Sequence, residues 1–102
     1  MLDSRPELTN HYGQVHGGVL TTMLDVAMAS AARSLHPQSP GSVTVSLSSQ
    51  FLRPAVGTLR ATGRVRQSGR SLVFCEAEIQ DEQAQVVATS IGTFKVLRTK
   101  PA

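Results

Sequence analysis

The hydrophobic pattern of this chain changes its period once, and that change constrains the fold more than any other feature. From Val19 to about Ser34, apolar residues recur at helical spacing, at Leu20, Leu24, Ala27 and Ala31. From Val43 onward, apolar and polar residues alternate with a period of two, which is typical of half-buried strands. The sequence therefore predicts one long helix followed by strands.

Four alternating segments follow the helix, at 43–51, 59–66, 73–80 and 86–97, and residues 1–10 have room for one strand at most. In the first segment the pattern assigns one face to Val43, Val45, Leu47 and Phe51. Short polar turns separate the segments, which favours an antiparallel meander. The expected fold class is α+β, with one long helix packed against an antiparallel β-sheet in a single domain over residues 1–102.

Composition narrows the function classes. The formal net charge is +3, which suits an anionic ligand but is too weak and scattered to indicate nucleic acid. Cys75 is the only cysteine, so no internal disulfide forms, and with the three His it shows no metal-ligand spacing. No segment resembles a signal peptide or a membrane span. We expect a cytoplasmic protein without metal, cofactor, membrane or nucleic-acid partner.

Asp25 is the only charged residue between His16 and Arg33. Aspartate is unfavourable inside a helix, and a charge in apolar surroundings is costly unless it is paired or functional. Two interpretations stay open: Asp25 faces solvent or bonds to Thr21 or Thr22, or it lies at a cleft or subunit interface as a functional carboxylate.

His16, Gly17 and Gly18 directly precede the helical pattern. Backbone N–H groups at a helix start lack intrahelical partners, and the helix dipole favours negative charge there. Such a site can polarise a carbonyl or stabilise an oxyanion, although a glycine pair before a helix is more often only a tight turn.

The segment from Asn10 to Asp25, NHYGQVHGGVLTTMLD, resembles the signature of the hotdog-fold thioesterases of the phenylacetate-degradation (PaaI) type. That pattern has an Asn, a Gly, then HGG and an Asp eight residues after the first Gly of the pair. Residues 42–55, SVTVSLSSQFLRPA, and the later VVATSIGTF are also similar to this family. Family members usually have a further strand, and often a helix, ahead of the segment that matches Met1 to Leu8, so the domain is expected to be short at its N-terminus.

The resemblance implies an acyl-CoA thioesterase whose substrate is an aryl- or short- to medium-chain acyl-CoA. Its catalytic carboxylate would be Asp25, acting as general base or nucleophile. Gly17 would donate its N–H to the thioester carbonyl, next to Gly18, and Asn10 would position the thioester or the water. Thr44 would orient that water, or is an ordinary strand threonine. His16 matches the motif His, or hydrogen-bonds the loop as a structural residue.

CoA is an anion, so Arg53 and Arg70 are candidates for its phosphates, the alternative being plain solvated side chains. The resemblance also places the active site between two subunits, with Asp25 of one chain facing Asn10 and Gly17 of the other. One helix cannot cover a sheet of this width, which independently favours a homodimer or homotetramer.

Three other functions remain as alternatives. The first is an acyl-CoA-binding hotdog domain without turnover, and the second is a hotdog hydratase or dehydratase. The third is a basic sheet that binds a polyanion, supported only by the alternation that puts Arg60, Arg64 and Arg66 on one face.

Overall fold

The computed structural model describes residues 2–3, 9 and 13–97, and its architecture is one helix packed on one face of an antiparallel sheet. The fold class predicted from the sequence is confirmed. In chain order the elements are β1 (Leu2–Asp3), α1 (Gly17–Ser34), β2 (Ser42–Phe51), β3 (Thr58–Ser68), β4 (Leu72–Gln80) and β5 (Val86–Val96).

The strand order in the sheet is β1-β3-β4-β5-β2, and neighbouring strands are antiparallel. The predicted meander is correct for β3, β4 and β5 but wrong for β2, which pairs with β5 at the far side of the sheet. The segment 52–57 can reach about 20 Å when extended, and three inter-strand spacings are about 14 Å. A short connection therefore allows a crossover as well as a hairpin, and β2 becomes an edge strand.

The helix buries Leu20, Leu24, Met28 and Ala32. Of the four residues predicted to share the helix face, Leu20 and Leu24 are buried and Ala27 packs half-buried against the core, while Ala31 is also only half-buried. Gly63 of β3 explains the difference, because the helix backbone lies directly on it: a Cβ at Gly63 would stand 2.3 Å from the Ala27 carbonyl oxygen. Position 27 is therefore where backbone meets backbone, and the longer side chains fill the core on either side.

Replacing Gly63 with Ala is expected to lower the free energy of unfolding by about 2 kcal/mol, because the added methyl group must push the helix off the sheet. Chemical denaturation would measure the loss. Gly41→Ala is the matched control, since a Cβ at Gly41 meets nothing within 4 Å. Equal stability of the two variants would contradict the close helix–sheet contact.

Strand β2 contains a bulge that changes which residues face the helix. The register against β5 shifts between Thr44 and Ser46, so Val45 is an extra residue. Thr44 pairs with Phe94 and Leu47 with Gly92, and both therefore face the helix, whereas Val43 and Val45 are 50% and 58% exposed. The prediction that Val43, Val45 and Leu47 share one face was wrong, and the bulge is what turns Thr44 toward α1.

Strand β4 follows the predicted alternation throughout, and β3 follows it as far as Val65. Val73, Cys75, Ala77 and Ile79 are all buried against the helix side. Burial raises the pKa of the Cys75 thiol, because desolvation disfavours the thiolate. Cys75 therefore stays protonated at neutral pH and acts as a small core residue.

Candidate active site

The start of α1 presents two backbone donors, the N–H groups of Gly17 and Gly18. The first hydrogen bonds of the helix begin after them, since Val19 N and Leu20 N both donate to the His16 carbonyl oxygen, at 3.0 and 3.2 Å. The N–H groups of Gly17 and Gly18 therefore have no intrahelical acceptor, and both residues are exposed. The exposed His16 side chain makes no capping hydrogen bond. The helix start thus offers N–H donors and the positive end of the dipole to a ligand.

Asp25 forms a hydrogen bond with Thr44, a pairing that the sequence alone did not predict. The Thr44 hydroxyl donates to Asp25 Oδ1 at 2.8 Å. The predicted alternative partner Thr22 instead donates to the Gly18 carbonyl oxygen at 2.9 Å. Within residues 13–97, no cation lies within salt-bridge distance of this half-buried carboxylate. The structure therefore brings together two of the predicted site residues and holds the carboxylate with a neutral donor.

An open groove of about 460 Å³ lies beside the helix start, between residues 14–17 and 51–55. A hydrogen bond from Val15 N to the Ala55 carbonyl oxygen, 2.8 Å long, joins its two sides. Phe51 lies across Gly17, with ring atoms 3.7 Å from where a Gly17 Cβ would be. Phe51 was not among the site residues predicted from the sequence, where the one available signal is that Leu52 follows it and interrupts the alternation of apolar and polar residues. In the structure both side chains are exposed.

The two predicted arginines lie at different places. Arg53 lines the groove at the helix start, where its Nε donates to the Val86 carbonyl oxygen at 3.3 Å. Arg70 lines a separate groove of about 410 Å³ with His36, beyond the C-terminal end of α1. One chain therefore does not bring them into a single binding site.

The remaining predicted residues are not assembled within one chain either. Gly17 and Asp25 are eight positions apart on α1, which is about 12 Å along the helix axis. One thioester carbonyl group cannot be in contact with two groups that are this far apart, so Gly17 and Asp25 of the same chain cannot act on the same substrate atom. Asn10 lies outside the described residues.

The arginine row expected on β3 is incomplete. The register shifts between Val65 and Gln67, so Arg66 occupies a bulge and leaves the alternation. Arg64 forms an ion pair with Glu76, Nε to Oε1 at 2.9 Å. The face therefore carries fewer arginines than expected, and the charge of one of them is neutralised by Glu76, which weakens the case for a polyanion-binding sheet.

In the part of the chain that the structure describes, no group of three or more His, Cys, Asp or Glu side chains is arranged to hold a metal ion. The helix α1, within the same residues, is not both long and apolar enough to cross a membrane.

Comparison with known proteins places this arrangement in a family. The model of the thioesterase superfamily matches residues 12–88, which is most of the chain. A protein of Halobacterium salinarum is 35% identical over 103 residues, covering 90% of this chain and 68% of that protein. The acyl-coenzyme A thioesterase PaaI of Escherichia coli is 34% identical over 88 residues, covering 84% of this chain and 61% of PaaI.

Solved structures agree with the sequence comparison. A Bacillus halodurans protein solved with CoA superposes with a TM-score of 0.89 at 32% identity, covering 94% of this chain and 68% of that one. The structure of E. coli PaaI gives a TM-score of 0.86 at 28% identity, covering 97% and 71%. The hotdog fold implied by the sequence resemblance is confirmed. The chain belongs to the thioesterase superfamily, as a PaaI-like hotdog protein in a family of thioester hydrolases.

Proposed function

We propose that this chain hydrolyses acyl-CoA thioesters to a free acid and CoA, with Asp25 as the catalytic carboxylate. The observation that carries the proposal is the 2.8 Å hydrogen bond from Thr44 to Asp25. It fixes one oxygen of the sole carboxylate on α1 and leaves the other oxygen available to a reactant. The family and the CoA-bound structural neighbour support the same reaction.

The chemistry follows from the two groups on α1. A thioester carbonyl that accepts hydrogen bonds from Gly17 and Gly18 N–H becomes more electrophilic, and its oxyanion is stabilised at the helix start. Asp25 either takes a proton from water, so that the water oxygen attacks the carbonyl carbon, or attacks that carbon itself and is released by water. The C–S bond breaks in both routes, and the CoA sulfur leaves as a thiolate that regains a proton.

The proposed site needs two chains, because Gly17 and Asp25 of one chain are about 12 Å apart along α1. Both residues lie on the side of the helix that faces β2: Gly17 meets Phe51, and Asp25 meets Thr44. A second copy that approaches this side with its helix antiparallel would bring its Asp25 to the first chain's Gly17. The same two-fold operation creates two equal sites.

Strand β2 supports this assembly. Within the described sheet it pairs with β5 alone, so its other edge is open. It carries no charged residue and no proline from Ser42 to Phe51, although natural edge strands are normally protected by such residues. An unprotected edge next to an incomplete site favours pairing with another copy, in a homodimer or in a homotetramer of two such dimers.

The supporting residues have proposed roles of their own. Asn10 would position the thioester or the water, His16 would shape the loop before the helix, and Arg53 would bind a CoA phosphate from the groove. Arg70, at the other end of α1, would reach a CoA phosphate only from a neighbouring chain. We place the enzyme in the cytoplasm, where CoA thioesters occur and a lone cysteine such as Cys75 stays reduced.

The test of the activity is thiol release from a panel of short-chain, medium-chain and aryl acyl-CoAs. We expect CoA release well above spontaneous hydrolysis for at least one member, with the matching oxygen ester hydrolysed more slowly. Tight binding of acyl-CoA without release would instead identify a binding domain without turnover, and no binding of any member would contradict the proposal altogether.

Replacing Thr44 with Val removes the hydroxyl but keeps the shape, so Asp25 loses the hydrogen bond to its Oδ1. We expect kcat to fall about tenfold, as for the loss of a hydrogen bond to a charged group that is only half-buried. Thr44→Ser is the matched control, because it keeps the donor and should retain most of the activity. Equal loss in both variants, with unchanged melting temperatures, would argue against a role for the hydroxyl.

A further inference from the structure

Cations that are far apart in the sequence lie together at one end of the molecule, where α1 ends. Val96 N donates to the Ser71 carbonyl oxygen at 2.9 Å, which holds the end of β5 against the β3–β4 turn. The loop after α1 is held there as well, since Ser39 Oγ donates to the Leu97 carbonyl oxygen at 2.5 Å. Four exposed side chains form this basic end of the molecule: Arg33, Arg66, Arg70 and Lys95.

No carboxylate compensates the basic end. The segments that form it, 33–43, 66–74 and 93–97, contain no Asp or Glu. Among residues 13–97, the one ion pair joins Arg64 to Glu76 and involves none of the four cations. The carboxylates of Asp81 and Glu82, at the opposite end of the strands, accept backbone hydrogen bonds instead. Uncompensated cations on one surface attract an anionic partner.

Exposed apolar side chains accompany these cations. Leu35 and Leu97 are exposed and line a groove of about 410 Å³ together with Arg70. Lys95 pairs across the strands with Leu72, which is also exposed. A surface that combines arginine with exposed leucines is typical of an interface with another protein rather than of a solvated charged face.

The cations are spread more widely than one small anion can reach. Arg33 lies on α1, whereas Lys95 lies between buried Phe94 and Val96 and so faces the side of the sheet away from the helix. The helix alone is about 10 Å across, so the two charges are carried on opposite sides of a thick layer. A protein surface can contact both sides at once, but a single phosphate group cannot.

The basic end is also close to the proposed catalytic carboxylate. Ser34 ends α1 nine residues after Asp25, which is about 14 Å along the helix axis. Thr44, which donates to Asp25, directly follows Val43, and Val43 pairs with Lys95. A partner bound at the basic end can therefore extend a flexible arm to Asp25.

We propose that the basic end docks an acidic carrier protein, and that the enzyme hydrolyses thioesters borne on the phosphopantetheine arm of that protein as well as on CoA. Both carriers end in the same thiol, so the reaction is unchanged: water supplies the new C–O bond, the C–S bond breaks, and the carrier thiol regains a proton. An anionic membrane would also attract the cations, but it presents no thioester on a hydrophilic arm. The inference rests on the proposed function, because it uses Asp25 as the group that acts on the arm.

The docking test measures binding, so that it does not depend on turnover. A fluorescently labelled acidic acyl carrier protein with its phosphopantetheine arm is titrated with the chain, and anisotropy gives Kd. We expect the double variant Arg33→Gln with Lys95→Gln to weaken binding about tenfold. Binding by the wild type should also weaken between about 50 and about 200 mM salt, because screening shortens the reach of the charges.

The matched control is the double variant Arg60→Gln with Arg64→Gln. It removes the same charge from exposed side chains of β3 that lie outside the basic end, and it should bind the carrier protein as the wild type does. Equal Kd values for the two double variants would overturn the inference. So would the absence of binding by the wild type, or displacement of the carrier protein by vesicles of phosphatidylglycerol, which would make the basic end a membrane surface.

Kinetics with one acyl group on two carriers give the second readout. The acyl group that is released fastest from CoA is placed on CoA and on the carrier protein. For the double variant at Arg33 and Lys95, we expect kcat/KM to fall about tenfold with the carrier protein and to stay unchanged with acyl-CoA. Arg70 is kept, because it is a candidate for a CoA phosphate. Equal losses with both substrates would contradict docking.

Failure of the proposed function gives a different result. If the carrier protein binds at the basic end but no thioester is hydrolysed, the docking inference holds and the thioesterase proposal fails. If acyl-CoA is hydrolysed but the carrier protein does not bind, the thioesterase proposal stands and the docking inference is wrong.

Discussion

Replacing Asp25 with Asn is expected to reduce kcat/KM for acyl-CoA hydrolysis by about 10²- to 10⁴-fold, the range that removal of a general base or nucleophile produces. The amide can still accept the Thr44 hydrogen bond through its oxygen, so the local structure should persist. It can neither take a proton from water at neutral pH nor attack the acyl carbon. Thiol release with saturating substrate would measure the loss.

Glu78→Gln is the matched control for Asp25→Asn. It removes one carboxylate from β4, where Glu78 pairs with Thr62 and Thr89 on the sheet face away from the helix. Activity should stay near that of the wild type. Near wild-type turnover in Asp25→Asn, with the melting temperature unchanged, would show that another group performs the chemistry.

Replacing Gly17 with Pro should also cost about 10²- to 10³-fold in kcat, the range for loss of one oxyanion donor. Gly17 is the first residue of α1, where proline fits because its missing N–H has no intrahelical acceptor. His16 before it is extended, at φ −60° and ψ 143°, which is the conformation that a residue before proline prefers. The substitution therefore deletes the donor while the helix remains.

The control for Gly17→Pro is Gly17→Ala, which retains the N–H. A Cβ at this position makes only ordinary contacts with Phe51, at 3.7 Å. The loss of activity should be much smaller than for proline, and circular dichroism should report the same helix content for both. If alanine and proline reduce kcat equally, the N–H is not what position 17 contributes.

The fold class was predictable because the change from helical to strand periodicity is local information, readable from Leu20 and Leu24 in the helix and from Val73 to Ile79 in β4. The strand order was not predictable in the same way. Segment 52–57 is compatible with either a hairpin or a crossover, and the pairing of β2 with β5 depends on contacts far apart in sequence. Likewise, no local signal locates the close approach of Ala27 to Gly63.

The candidate site shows the same division. Asp25 and the glycine pair stand out in the sequence, since a lone carboxylate in an apolar helix and a glycine-rich helix start are local features. The hydrogen bond to Thr44 depends on the bulge at Val45, which strict alternation does not reveal. The alternation predicted only which strand face Phe51 is on. Its position over Gly17 could not be predicted, because it depends on how β2 packs against α1.

The most direct test of the central claim, a catalytic site shared between two chains, is complementation between two inactive variants. Asp25→Asn and Gly17→Pro chains carrying different tags would be co-expressed, and assemblies that contain both would be isolated by sequential affinity steps. In a two-fold dimer one site then has both lesions and the other has intact Gly17 and Asp25 from different chains, so about half of the wild-type activity should return. Activity no higher than that of either variant alone would contradict the shared site.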